Sequence, residues 1–143
     1  MRRLLPGFLL LALATSLAGC NDSTTNTPTT PTTPNTPTTP ATTETFTGTL
    51  HLNGAETYNF TAATGGTVLV TLTTIANGTP PIGLSLGTWT GAACQIVIDN
   101  SNAAVQGFVT GTVTSATSLC ARVYDAHGTI ATPADFTITA AHP

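Results

Sequence analysis

From residue 45 onward, apolar side chains recur at every second position in short runs, and Gly, Asn, Asp and Pro separate the runs. Phe46, Gly48, Leu50 and Leu52 make the first alternation, and Tyr58 and Phe60 resume it after the turn residues Asn53-Gly54. Val68, Val70 and Leu72 follow Gly65-Gly66, and Ile82, Leu84 and Leu86 follow Asn77-Gly78-Thr79-Pro80-Pro81. Ile96 and Ile98 lie in a fifth run that closes at Asp99-Asn100-Ser101-Asn102. Residues 105–113, 119–124 and 136–140 bring the number of runs to about eight. Period two places alternate side chains on opposite faces of a strand, so one face of each run is apolar and the other polar. With turn chemistry between the runs and no sustained helical period, the pattern predicts an all-β, antiparallel sandwich or barrel. Threonine fills many of the outward positions, where its branched Cβ suits a pleated strand without adding much apolar surface. Gly48, Gly107 and Gly111 are candidate bulge positions that would twist exposed edges away from pairing.

The first 44 residues follow a different pattern. Arg2 and Arg3 precede Leu4, Leu5 and an apolar run from Phe8 to Leu17, which ends in small residues before a cysteine. A positive start, an apolar stretch too short to span a bilayer and small residues at the cut describe a secretory signal. Leu17-Ala18-Gly19-Cys20 resembles the lipobox of bacterial lipoproteins. That resemblance implies removal of residues 1–19, a diacylglyceryl thioether on Cys20, and Cys20 as the mature N-terminus. An ordinary signal peptide, or an uncleaved anchor with a chance cysteine, is the weaker alternative. Residues 20–44 then read as the lipidated cysteine and a linker, mostly Thr and Pro, with Pro28, Pro31, Pro34, Pro37 and Pro40 at every third position. Period three matches the three residues per turn of polyproline II. At ~3.1 Å per residue, Thr24 to Thr43 would hold a domain roughly 60 Å from the lipid. A plain spacer is favoured over an O-glycosylated stalk.

Charge narrows the partners. Without residues 1–19 the chain has no lysine and one arginine, Arg122, against six acids, a side-chain balance of −5. Nucleic-acid binding needs Lys and Arg to neutralise phosphates, and electrostatic docking on anionic lipid needs them too, so both are excluded. Membrane attachment is then left to the lipid, and stable anchoring takes more than one acyl chain. Cys94 and Cys120 remain as an even pair in an exported protein, where a disulfide is the default. It would close a loop of about 25 residues and contribute roughly 3 kcal/mol. A redox-active pair lacks the C-x-x-C spacing and a cationic neighbour, and a metal site lacks further ligands.

Phe46-x-Gly48-x-Leu50, Tyr58-x-Phe60, Gly66-x-Val68-x-Val70-x-Leu72, Leu84-x-Leu86-Gly87-x-Trp89, Cys120-Ala121-Arg122-Val123-Tyr124-Asp125 and Phe136-Thr137-Ile138-Thr139 occur in this order. The ordered set resembles the bacterial pre-peptidase C-terminal (PPC) domain over residues 45–143. That resemblance implies a jelly-roll-like β-sandwich, roles in spacing, secretion or binding to proteins and polysaccharides, and no catalytic residues. The usual neighbouring peptidase domain is absent from this sequence. Some relatives of the fold bind calcium and collagen.

Candidate chemistry is sparse. Ser85, His127 and Asp125 could be assembled into a triad on paper, but no Gly-x-Ser-x-Gly elbow accompanies them. Asp125-Ala126-His127-Gly128 reads better as a turn, with Asp capping the bend. Glu56, Asp99, Asp125 and Asp135 would form a glycosidase-type pair only by accident of folding. Asp99, Asn100 and Asn102 offer calcium-type oxygens in a loop between strands, with one full charge, and an ordinary Asx-rich turn is the preferred reading. No other cofactor is expected. Arg122 is expected to pair with Asp125, Asp135 or Glu56 across the sheet, a weak stabiliser if exposed, and a binding role is the less favoured alternative. Trp89, Tyr58 and Tyr124 could make a sugar-stacking platform, with Trp89 the first choice for ligand contact at a strand end, although Tyr58 and Phe60 could both belong to the core. The sequence therefore predicts a non-catalytic, lipid-anchored bacterial envelope protein, at the periplasmic face or cell surface, whose sandwich binds a protein or polysaccharide. An envelope assembly component and a small secreted hydrolase are the alternatives.

Overall fold

The computed structural model describes residues 42–76 and 79–143. The signal segment, Cys20 and most of the Thr/Pro-rich linker lie outside them. Eight strands follow one another: β1 (Thr42–Leu50), β2 (Ala55–Ala62), β3 (Gly66–Ile75), β4 (Ile82–Trp89), β5 (Cys94–Ala103), β6 (Phe108–Val113), β7 (Thr117–Tyr124) and β8 (Ala134–His142). The first strand starts four residues before Phe46, the first apolar position of the alternation, because Thr42, Thr43 and Glu44 already pair with His142, Ala141 and Ala140. Leu52 and Val105, assigned to strands on pattern alone, lie outside them and are exposed.

The strands make two four-stranded antiparallel sheets, ordered β1-β8-β3-β6 and β2-β7-β4-β5. Most consecutive strands change sheet, and only β4 and β5 form a hairpin within one sheet. This is the jelly-roll arrangement of a double-sheet sandwich. Its core is built from the inward half of each alternation. Leu50, Leu72, Ile82, Leu84, Val123 and Ile138 are fully buried, with Phe60, Phe136 and Val109 close behind. Each large side chain so placed contributes roughly 1.5–3 kcal/mol of transfer free energy. Tyr58 belongs to this interior, stacked on Phe46 at 5.0 Å between centroids, with its hydroxyl donating to the Thr47 carbonyl at 2.9 Å. Burial first, and the Glu56 charge second, push its phenol above the ordinary range.

The outward half of the first sheet is threonine. Thr45 and Thr47 face Thr139 and Thr137 across the β1–β8 pair, and Thr71 continues the row on β3. The edges are handled differently from the expectation. The register shifts lie at Leu72/Thr74, Ile82/Leu84 and Leu86/Gly87, not at Gly48, Gly107 or Gly111. Gly48 instead makes room: a Cβ there would fall 2.2 Å from the Tyr58 hydroxyl and 2.9 Å from Phe136. Two of the shifts insert extra residues into β5, which breaks the regular edge of the second sheet.

Cys94 and Cys120 form a disulfide with Cα atoms 5.7 Å apart. Cys120 on β7 faces Gly87 and Cys94 on β5 faces Trp89, so β4 lies between the bridged strands. Next-nearest strands stand roughly 9.6 Å apart in a flat sheet, so the start of β5 must fold over β4. The Leu86/Gly87 shift begins that fold, and Gly87 permits it, since a Cβ there would lie 2.1 Å from the Gln95 carbonyl oxygen. At the other side of the sandwich, His142 Nε2 lies 3.0 Å from Glu44 Oε1 and its ring packs on Phe60, which ties the ends of β1 and β8 together.

Candidate functional site: the outer face of the β2-β7-β4-β5 sheet

Alternation along β7 buries Leu119 and Val123 inward and turns Arg122 and Tyr124 to the outer face. Register then sets the row. Arg122 faces Thr57 on β2 and Ser85 on β4, and Ser85 faces Asp99 on β5. One position further along, Tyr124 faces Gly83. A Cβ on Gly83 would sit 2.1 Å from Tyr124 Cε1 and 2.2 Å from Cζ, so the ring occupies the space that only glycine leaves open. Lying across β4 in this way, the Tyr124 hydroxyl reaches Asp99 two strands from its own, at 2.9 Å from each carboxylate oxygen. Ser85, only 1% exposed, donates to Asp99 Oδ1 at 2.7 Å from beneath. The Arg122 guanidinium carbon lies 5.1 Å from the Tyr124 ring centroid, within cation–π range.

The result is a series of four side chains fixed in order: Ser85 holds Asp99, Asp99 holds Tyr124, and Tyr124 carries Arg122. Burial, then the bond to Asp99 and its charge, hold the Tyr124 phenol above its ordinary range, against a smaller opposing pull from Arg122. The phenol therefore stays a donor at neutral pH. Arg122 does not form the ion pair expected of it: among the described residues no carboxylate lies within 4.0 Å of it. The reasons are local. Asp125 spends its oxygens on the backbone N–H groups of Asn53, Thr129 and Ile130. Asp135 lies on the other sheet and accepts from Thr49 at 2.6 Å. Glu56 neighbours Thr57 on β2 and so points to the opposite face.

Asp99, Asn100 and Asn102 belong to β5 itself and not to a loop. Asp99 serves Ser85 and Tyr124, Asn100 accepts from the Asn102 backbone N–H at 3.1 Å, and Asn102 Oδ1 lies 3.1 Å from His127 Nε2. Their oxygens do not converge, and among the described residues no three His, Cys, Asp or Glu side chains are grouped to hold a metal. Ser85, His127 and Asp125 are also not assembled, since each is bonded to a different partner. Asp125 is the turn cap its sequence suggested. Burial alone would raise its carboxyl, but the backbone donors outweigh that and hold it below the usual 3.8.

Trp89 stands at the far end of β4, paired with Cys94, six residues from Gly83. At about 3.3 Å per residue that is roughly 20 Å from Tyr124, so the two do not form one platform. Ser85 and Gly83 were not singled out from sequence as parts of a binding site. A serine and a glycine in an apolar run carry no local signal, and only the register across three strands reveals them.

No family model and no curated protein sequence matches this chain. Solved structures do. The Yersinia pseudotuberculosis-derived mitogen superposes with a TM-score of 0.51 at 16% identity, over 73% of this chain and 87% of that one. Aeromonas hydrophila PliG, a periplasmic lysozyme inhibitor of g-type lysozyme, gives 0.49 at 15% identity, over 69% and 84%. At such identity, the likeness to the mitogen is one of fold.

Proposed function

We propose that this chain is a non-catalytic, lipid-anchored protein of the bacterial cell envelope that presents its sandwich for binding a polysaccharide or protein, through the outer face of the β2-β7-β4-β5 sheet. The observation that carries the reading is the Ser85–Asp99–Tyr124–Arg122 series. It fixes an aromatic ring, a carboxylate and a guanidinium on a sheet face, and it spends a buried serine to do so. Fixing side chains before a partner arrives lowers the ordering cost of binding. The same geometry disfavours catalysis at this place, because the Ser85 hydroxyl is covered and the carboxylate it donates to is also held by Tyr124. Export is supported by the signal pattern and by a formed disulfide, which belongs to oxidising compartments. The lipobox and the Thr/Pro stalk supply the anchoring half of the proposal, and the resemblance to the PPC domain implies a non-catalytic binding role.

The test is retention of purified, lipid-free envelope polysaccharide and protein fractions on the immobilised, detergent-solubilised chain. Binding that Tyr124→Ala abolishes and Thr45→Ala spares is expected. Retention indifferent to Tyr124, or turnover of a hydrolase substrate that His127→Ala abolishes, would overturn the reading.

A further inference from the structure

We infer that Arg122 is the receptor for one carboxylate, and that its ligand is a uronic acid residue within an otherwise neutral polysaccharide; the inference rests on the binding face proposed above. Arg122 is the only Lys or Arg beyond Arg3 in the sequence. In a chain with six acids a lone cation has every opportunity to pair, and long-range attraction favours it. Here it stays unpaired among the described residues, and three other side chains determine where it sits. A guanidinium is a planar fork that matches a carboxylate with two parallel N–H···O bonds, and stacking on an aromatic ring sets the plane of that fork.

The neighbourhood selects the source of the carboxylate. Asp99 is exposed and uses its oxygens for Ser85 and Tyr124, with Oδ2 taking only the shared phenol proton. Its remaining lone pairs accept from hydroxyls and repel negative charge beyond the one carboxylate that Arg122 takes. A uronic acid presents one carboxylate and adjacent hydroxyls on a single ring, which is the complement of one guanidinium beside one carboxylate. A phosphate monoester brings close to two charges toward Asp99, and a phosphodiester puts its one charge on a tetrahedral group with no hydroxyl of its own. A run of Asp and Glu offers carboxylates on flexible stems, with no hydroxyl fixed beside each on one ring. A densely charged polyanion meets a domain whose own side chains are net negative, so the acid groups are spaced by neutral sugars.

The experiment titrates the full chain in neutral detergent with three probes. They are an oligosaccharide alternating glucuronate and N-acetylglucosamine, the same oligosaccharide with its carboxyls reduced to alcohols, and a glutamate-rich peptide. Binding of the first is expected, with a loss of about ten- to a hundred-fold on carboxyl reduction and a similar loss for Arg122→Gln, the range of a charge-assisted hydrogen-bonded contact. Arg122→Lys keeps the charge and loses the fork, so it recovers only part of that loss. An unchanged melting temperature in both variants shows that the fold is intact. Equal affinity for the reduced oligosaccharide, undiminished binding by Arg122→Gln, or preference for the peptide would overturn the assignment. Failure of all three probes while envelope fractions are still retained through Tyr124 would sink the uronate and leave the binding face; failure of retention as well removes both.

Discussion

Asp125→Asn removes one negative charge and nothing of the side chain's size, at a carboxylate that is 9% exposed. Its two oxygens accept backbone N–H groups from Asn53 at 3.0 Å, Thr129 at 3.1 Å and Ile130 at 3.3 Å. An amide has one acceptor oxygen, so either rotamer turns its NH₂ toward at least one of these donors. The cheaper rotamer keeps an oxygen for Asn53 and Ile130 and leaves the part-buried Thr129 N–H without a partner, at the low end of about 1–3 kcal/mol, and the bonds that survive lose their charge assistance. Together the loss is about 2–4 kcal/mol, which moves a urea midpoint down by about 1–2 M at the m-values of small domains. The pH dependence has a definite sign. Because the folded carboxyl is held below the ordinary 3.8, its contribution is complete above that value and is lost as pH falls through the folded pKa. The gap between wild type and Asp125→Asn should therefore be constant from neutral pH down to about pH 4 and shrink below it. Urea titrations of both proteins at a series of pH values measure this. An unmoved midpoint at pH 7, or a gap that widens on acidification, would refute the argument.

Gly87→Ala places a methyl 2.1 Å from the Gln95 carbonyl oxygen and blocks the path of β5 over β4. Thiol titration under denaturing conditions should then find Cys94 and Cys120 free in a large fraction of the protein. In a Tyr58→Phe background, the remaining tyrosine should ionise above its ordinary range, and Asp99→Asn should bring it down by removing both a bonded charge and its field. Ultraviolet difference titration reads this directly, and an unshifted curve would break the Asp99–Tyr124 link. Leu84→Ala, at a fully buried position, should cost about 2–5 kcal/mol in the same urea assay. Intact mass of the membrane-extracted protein should equal residues 20–143 plus acyl chains, less two hydrogens for the disulfide; a mass retaining residues 1–19 would contradict the lipobox.

The fold was legible where alternation was unbroken. Val68, Val70 and Leu72, or Ile82, Leu84 and Leu86, declare a strand and its inward face without help from elsewhere. The reading faltered at strand ends, as at Leu52 and Val105, where one more apolar residue continues the pattern although the backbone has already turned. The Asp99-Asn100-Ser101-Asn102 run has the composition of a turn, yet it lies within β5 because β4 supplies backbone partners and the two extra residues are absorbed as bulges. The candidate site was half visible. Tyr124 and Arg122 stood out as rare residue types, but their company did not, because Ser85 and Asp99 join them through register across three strands. Register between strands distant in sequence is set by packing of the whole core, which no local window contains. The expected ion pair of Arg122 failed for the same reason, since charge counting ignores which face each carboxylate occupies.

Amide chemical-shift mapping during titration with envelope polysaccharide tests the binding face most directly. Perturbations should concentrate on Thr57, Ser85, Asp99, Arg122 and Tyr124, with the threonine face of the other sheet silent and Trp89 unaffected. Perturbations centred on Trp89, or on Thr45, Thr137 and Thr139, would contradict it.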